Sequence, residues 1–566
     1  MILRRLYLYL VSAAGLGLLA AGLSFLGATV LLFLFNDPSA QYSRGQLAGF
    51  TAMSVVALPV WGVHFWFAGR LALRDPAERA SPIRHLYLYA ACLFASIGAA
   101  IALAITAGDL LRPILDTCPP VTEPLSGPKI PTGLSCGTDQ NWLLTAQAAW
   151  VLVVLLAIWA FHFRIAARDR TAVGDTGASA TLRRWYMYPA LLVGLLVMLA
   201  GTSTLIELGW LKALHSQLGD LRFIGDSAGQ LLAGLTLWSF HARTIAKHHV
   251  ADDRHSTLRA LQGFIAVAVS IAIALVGASQ ILYYVLARGL GVNNPGGVGN
   301  DVLSGLAAPG SQLVVYGIAW FMVRRRLARD AGSQETDRQA AIRRLYTNLA
   351  SLVSLAAWAV GAGGLLWTLA EQLEAPIISV TASDWKDPVS LWVTLLVVGA
   401  AVWLAHWRHA PWAADRQSLS RRLYVWAALL ASVLVLLGAG VGMLNALLRQ
   451  LFSASPKLND SANLDFGHYL AVVVVAVLVG LYHWRVLRAD AATRPPRQEP
   501  VAAPVAAPAP PGAVTTLQPA PADTHDARSR RYVLSVTDAT EDDVHQALAN
   551  LPPQATYRLT PSEQGR

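Results

Sequence analysis

Five histidines recur in one setting near the ends of apolar segments: Trp61-x-x-His64-Phe65, Trp159-x-x-His162-Phe163, Trp238-x-x-His241, Trp403-x-x-His406-Trp407, and His483-Trp484 with Gly480 in the tryptophan position. Imidazole can ligate haem iron or zinc, or carry a proton near neutral pH. No two of these rings form a close intrahelical ligand pair with an accompanying carboxylate, as a zinc helix would require. The preferred reading is interfacial: Trp anchors at the phospholipid headgroups, His exchanges hydrogen bonds there, and the arginines that follow, as in HFRIAARD and HWRVLRAD, meet phosphate. A bond network between helical hairpins and cofactor ligation are the alternatives.

A second pattern opens each stretch. It reads RRLY at Arg4 to Tyr7, RHLY at Arg84 to Tyr87, RRWY at Arg183 to Tyr186, RALQ at Arg259 to Gln262, and RRLY at both Arg343 to Tyr346 and Arg421 to Tyr424. Tyr7, Tyr87, Tyr186, Tyr346 and Tyr424, with Arg5, Arg184, Arg344 and Arg422 beside them, have the chemistry of a boundary between water and hydrocarbon, where a phenol stays wet while its ring buries apolar area. The last signature positions are spaced by 80, 99, 76, 84 and 78 residues, close enough to a fixed period to mark a duplicated unit. The fourth copy is degenerate: Ala260 and Gln262 stand in its opening, and Trp320-Phe321 closes it in place of a Trp-x-x-His.

Few ionisable groups fall inside apolar segments. Asp109, Glu207 and Glu371 lie toward the ends of theirs, at an aqueous edge or a helix contact, and no chain of central carboxylates suggests a proton path. The sequence contains no GxxxxGK[ST] or HExxH motif, and no catalytic residue, metal ligand or cofactor site is assigned.

These residues need long apolar elements to hold them. The chain has 566 residues, 55% hydrophobic and 14% charged, too little charge to cover the surface of a soluble protein of that size. Twelve apolar segments are expected to be helical spans: 6–35, 47–70, 86–111, 141–164, 185–211, 227–246, 261–287, 304–324, 346–370, 388–408, 423–448 and 466–486. Continuous apolar blocks favour helices over membrane strands, which would be near ten residues and alternate in polarity. About twenty residues cross the hydrocarbon, so the longer first helix of each pair must tilt or project. Stripes such as SAAGLGLLAAG from Ser12 suit close helix packing.

Charge sets the orientation. Lys and Arg on the signature side total 28, against 9 in the opposite loops, which predicts that the signatures and both termini face the cytoplasm of a bacterial inner membrane. The formal net charge of +10 therefore reflects helix ends at headgroups, and no basic stripe points to nucleic acid. The first apolar run is too long for a cleaved signal peptide and reads as a retained span. Cys92 reads as a packing residue. Cys118 and Cys136 share the Pro-rich external loop 112–140, where they could form a disulfide, and that loop is either an irregular cap or a contact for a partner.

The resulting plan is an all-α membrane protein of about twelve helices in six parallel hairpin repeats over 1–490, with boundaries near 1–83, 84–182, 183–258, 259–342, 343–420 and 421–490. A Pro/Ala-rich linker follows at 491–529, then a small cytoplasmic tail at 530–566 with a strand, helix and strand pattern. Each copy enters and leaves on the same side, so the repeats run parallel, unlike the inverted duplications of many secondary transporters.

The basic-LY openings and HWR-like closings over roughly 1–490 resemble the DUF5671 family of uncharacterised bacterial membrane proteins. The resemblance implies a multi-pass membrane fold and transfers no substrate or active residue. The expected role is a noncatalytic membrane scaffold or a subunit of a membrane complex, with membrane lipids and a membrane-protein partner or a second copy as its contacts. A transporter or channel built from the parallel repeats is the alternative.

Overall fold

In hydrocarbon a chain must satisfy its own amides, and the structure does so with helices alone: the described residues contain no strand. The structure, a computed structural model, describes residues 2–115, 142–174, 177–216, 223–247, 253, 256–297, 301–331, 337–374, 384–407, 416–452 and 460–492. Twelve long helices are found there: α1 Ile2–Leu34, α2 Arg44–Arg74, α3 Pro82–Leu115, α4 Trp142–Val173, α5 Gly177–Ala213, α6 Ile224–Lys247, α7 Thr257–Gly289, α8 Ala307–Ala331, α9 Asp337–Glu374, α10 Lys386–Trp407, α11 Leu419–Phe452 and α12 Asp460–Ala492. The expected tail and the Cys118–Cys136 loop lie outside the described residues.

Eleven of these helices are long and apolar enough to span a membrane, so the protein is a multi-pass membrane protein. The exception among the expected spans is α6, which carries Asp226, Thr236, Ser239, His241 and Thr244 in 24 residues. Much of its polarity is answered within the protein: Thr236, Ser239 and Thr244 donate to carbonyls of their own helix, His241 bonds Tyr186, and α6 packs closely on both α3 and α5. Gly229 and Gly234 make that approach close enough. A Cβ on Gly229 would lie 2.2 Å from the Ala104 carbonyl oxygen on α3, and one on Gly234 would lie 2.3 Å from the Met198 nitrogen on α5.

Consecutive helices pack as pairs, α1 on α2 through α11 on α12, and the first helix of each pair also packs on the second helix of the next: α1 on α4, α3 on α6, α5 on α8, α7 on α10 and α9 on α12. The first helices thus form one row and the second helices another, in a zigzag that begins at α2 and ends at α11. The first helices run from 33 to 38 residues. At about 1.5 Å per residue they exceed a hydrocarbon layer of about 30 Å, so their signature ends project from it.

Outer faces remain apolar and exposed: Phe94 is 74% and Val55 64% accessible, an arrangement stable only against lipid. Hydroxyls within the helices turn back on the preceding turn. Ser12 donates to the Leu8 carbonyl at 2.7 Å and Ser54 to that of Phe50 at 2.8 Å, so neither asks lipid for a partner. Cys92 is fully buried on α3, packed with Leu88 and Tyr186.

Gly234→Ala should force α5 and α6 apart and destabilise the protein by about 1–3 kcal/mol. Thermal unfolding in detergent, followed by size-exclusion chromatography, should show a lower midpoint. An unchanged midpoint would mean that this contact is looser than described.

Candidate functional site

The repeated aromatic and histidine residues meet at the signature ends of the helix pairs. Nδ1 of His162 lies 2.8 Å from the Ile158 carbonyl one turn earlier on α4. A carbonyl only accepts, so Nδ1 carries the hydrogen and Nε2 of the neutral ring is left as an acceptor. Tyr87 from α3 fills that role, its hydroxyl 3.1 Å from Nε2. The same hydroxyl oxygen accepts Trp61 Nε1–H at 2.9 Å, from α2 of the preceding pair.

One phenol thus joins two helix pairs, with each group in a determined role: Trp N–H to Tyr O–H to His Nε2, and His Nδ1–H to its own helix. Trp159, Tyr186 and His241 repeat the knot at 2.9 Å for both bonds, as do Trp403, Tyr424 and His483. His162, His241 and His483 are buried at 1% exposure or less, among edge-on aromatic rings, so their rings face protein neighbours. Spacing alone could not distinguish these cases, because a ring one turn from a helix end faces lipid or a neighbour according to how the helices pack.

The other copies depart from the knot in instructive ways. Tyr7, 59% exposed, bonds His64 at 3.3 Å and takes no indole bond among the described residues. In the last copy Gly480 stands where the tryptophan would be.

In the fourth copy Gln262 replaces the tyrosine, and Val323 stands three residues after Trp320, where the histidine would be. Both partners change together. Gln262 instead accepts Arg326 Nη2 at 2.7 Å. Trp238, which would have reached the missing phenol, packs beside Leu195 and Val315. Tyr346 and His406 in the fifth copy stand 3.5 Å apart, at the limit of a hydrogen bond.

A layer of ion pairs lies nearer the signature ends, and its acids went unassigned in the sequence reading. Asp169 accepts Arg84 Nε at 2.7 Å and Arg79 Nε at 2.9 Å, with Arg84 also donating to Tyr9 of α1 at 3.0 Å. Arg184 pairs with Asp253 at 2.7 Å, Arg259 with Asp330 at 2.8 Å and Arg421 with Asp490 at 2.7 Å. Glu78 binds both Arg4 and Arg5.

Arg84 with Asp169, Arg259 with Asp330 and Arg421 with Asp490 each tie the start of a first helix to the end of its second, whereas Glu78 and Asp253 lie beyond the ends of α2 and α6. The signal was present in HFRIAARD and HWRVLRAD, where the aspartate stands seven residues after the histidine. In the sixth copy Arg422 is exposed, whereas Arg421, one helical turn before Tyr424 and on its face, bonds Asp490 and lies 4.4 Å over the Trp407 ring. Arg344 contributes its carbonyl to Asn348 at 2.7 Å.

At the opposite end Asp109 bonds Arg112 at 2.9 Å and Thr145 at 3.3 Å, and Arg112 reaches Asp226 of α6 at 2.8 Å. Asp109 is therefore a helix contact, one of the two roles expected for it. Among the described residues no group of three or more His, Cys, Asp or Glu side chains is placed to hold a metal ion.

A family model described as a domain of unknown function, DUF5671, matches residues 5–135 and 344–468. The matches begin at Arg5 and Arg344, the same signature position in the first and fifth copies. No curated protein and no solved structure matches the chain.

Tyr424→Phe removes one hydroxyl and strands two buried groups, Trp403 Nε1–H and His483 Nε2. The expected loss is about 1–3 kcal/mol, seen as a lower unfolding midpoint in detergent. Tyr7→Phe, at an exposed hydroxyl without an indole partner, should change the midpoint far less. Equal effects from both would remove the knot from the account of stability.

Proposed function

The chain belongs to the DUF5671 family, a domain of unknown function, and from that premise we propose that it is a noncatalytic integral membrane scaffold or a subunit of a membrane complex, built from six parallel helical hairpins over residues 1–490. The observation that carries this reading is where the reactive side chains are spent. The tyrosines, histidines and tryptophans that could serve chemistry bond one helix pair to the next, and the arginines and aspartates tie each pair to itself. A scaffold needs such stiffness, since a surface that binds a partner is presented best by elements that do not shift.

In this reading the hairpin boundaries follow the signatures, near 84, 183, 259, 343 and 421, with a linker from 491 and a tail from 530. The signature ends face the cytoplasm of a bacterial inner membrane, as the excess of Lys and Arg on that side supports. Lipids surround the body, and a membrane-protein partner or a second copy is the ligand of the scaffold.

Two measurements test this. Affinity purification from native membranes in mild detergent should recover a defined membrane-protein partner at constant ratio; recovery of the chain alone, together with solute flux from liposomes carrying the purified protein, would overturn the scaffold in favour of a transporter or channel. A phosphatase that is active only outside the cytoplasm, fused after Ala492, should stay inactive. Full activity there would reverse the orientation.

A further inference from the structure

Two apolar grooves open sideways from the helix rows, each with its walls in a segment that the family model matches and its floor beyond that segment. The first, about 440 Å³, lies between α1 and α3 with α4 as its floor. The second, about 590 Å³, lies between α9 and α11 with α12 as its floor.

Their linings are in register. Leu16 and Ala20, nine and thirteen residues after Tyr7, line the first; Leu355 and Ala359, at the same distances from Tyr346, line the second. On the floor, Leu155 and Ala476 each stand seven residues before their histidine and each face a groove.

The middle of the zigzag has the same parts, packed closed. Leu195 and Leu199, again nine and thirteen residues after a signature tyrosine, pack with Ala266 and Ala319 around Tyr316. Tyr316 occupies the floor position of Leu155 and Ala476, counted from the tryptophan of each copy, and is 6% exposed. One large side chain, together with Leu199 where the others have alanine, fills the space. The family model does not match this middle segment.

We propose that the two grooves are binding sites for a phospholipid acyl chain, and that Tyr316 closes the third. Three features of the grooves select that occupant. They open toward hydrocarbon beside exposed Leu10 and Phe94, which offer no hydrogen bond to a polar ligand. The first extends from Leu6 to Ala20, about 21 Å along the helix, so 440 Å³ leaves a mean cross-section of about 20 Å², enough for one extended chain and too narrow for a helix about 10–12 Å across. Its signature end, at Leu6, Tyr9 and Ile83, adjoins Arg4, whose guanidinium bonds Glu78 through one nitrogen and whose side chain stays half exposed to an anionic phosphate.

The test uses the full-length protein in membranes containing phosphatidylglycerol with a photoactivatable diazirine on its acyl chain, with cross-linked peptides mapped by mass spectrometry. Labelling should concentrate on the facing residues of α1 and α3 and of α9 and α11. Leu155→Tyr should abolish labelling of the first groove and leave the second, Ala476→Tyr the reverse, and Tyr316→Ala should add a third labelled position near Leu199. The three variants report separately, so the misfolding of one leaves the other two decisive. Labelling spread evenly over all lipid-facing residues, or unmoved by filling and opening, would overturn the proposal whether or not a scaffold partner is found.

Discussion

A hydroxyl buried in an apolar interior is a liability until both its hydrogen and its oxygen are occupied, and the structure turns that requirement into its principal fastening. The phenol of Tyr87, Tyr186 or Tyr424 gives its hydrogen to a histidine of its own helix pair and takes one from a tryptophan of the pair before. Because the histidine must point Nδ1–H at its own backbone, the direction of every bond in the knot is determined. Apolar packing between helices in lipid is weakly directional, since lipid tails are as apolar as leucine. A bond with one allowed direction supplies the register that such packing lacks.

The ion pairs act at a different level. Arg84 and Asp169 are both nearly inaccessible, and such a pair offsets its own desolvation only with good geometry and further bonds, which Arg79 and Tyr9 supply. Contacts of this kind close α3 on α4, α7 on α8 and α11 on α12 at their signature ends, where two long helices would otherwise fray into water. Division of labour follows: charge closes a pair, and the phenol joins it to the next.

The fourth copy illustrates how the two layers can separate. It keeps Arg259 with Asp330 and loses both tyrosine and histidine, taking up Gln262 with Arg326 instead. A tyrosine without its histidine would bury an unanswered hydroxyl, so the two are lost together. The same region fills its groove with Tyr316, so the middle of the zigzag is joined through apolar packing where the flanks are joined through knots.

Sequence alone determined the membrane class and the long apolar helices. Hydrocarbon leaves a backbone of that apolar length no other regular choice, and the recurrence of the signatures is visible in one dimension. Much of the bonding was also legible: the residues of the knot were all named, and the spacing from His162 to Asp169 repeats from His483 to Asp490. Tertiary structure decided what those residues touch. Whether His162 meets headgroups or Tyr87, whether Arg421 or Arg422 pairs with Asp490, and whether the polar α6 packs on both α3 and α5 all depend on how each helix is rotated against its neighbours. That rotation is set by contacts such as Gly229 on Ala104 and Trp61 on Tyr87, between residues far apart in the chain, and no local pattern encodes it.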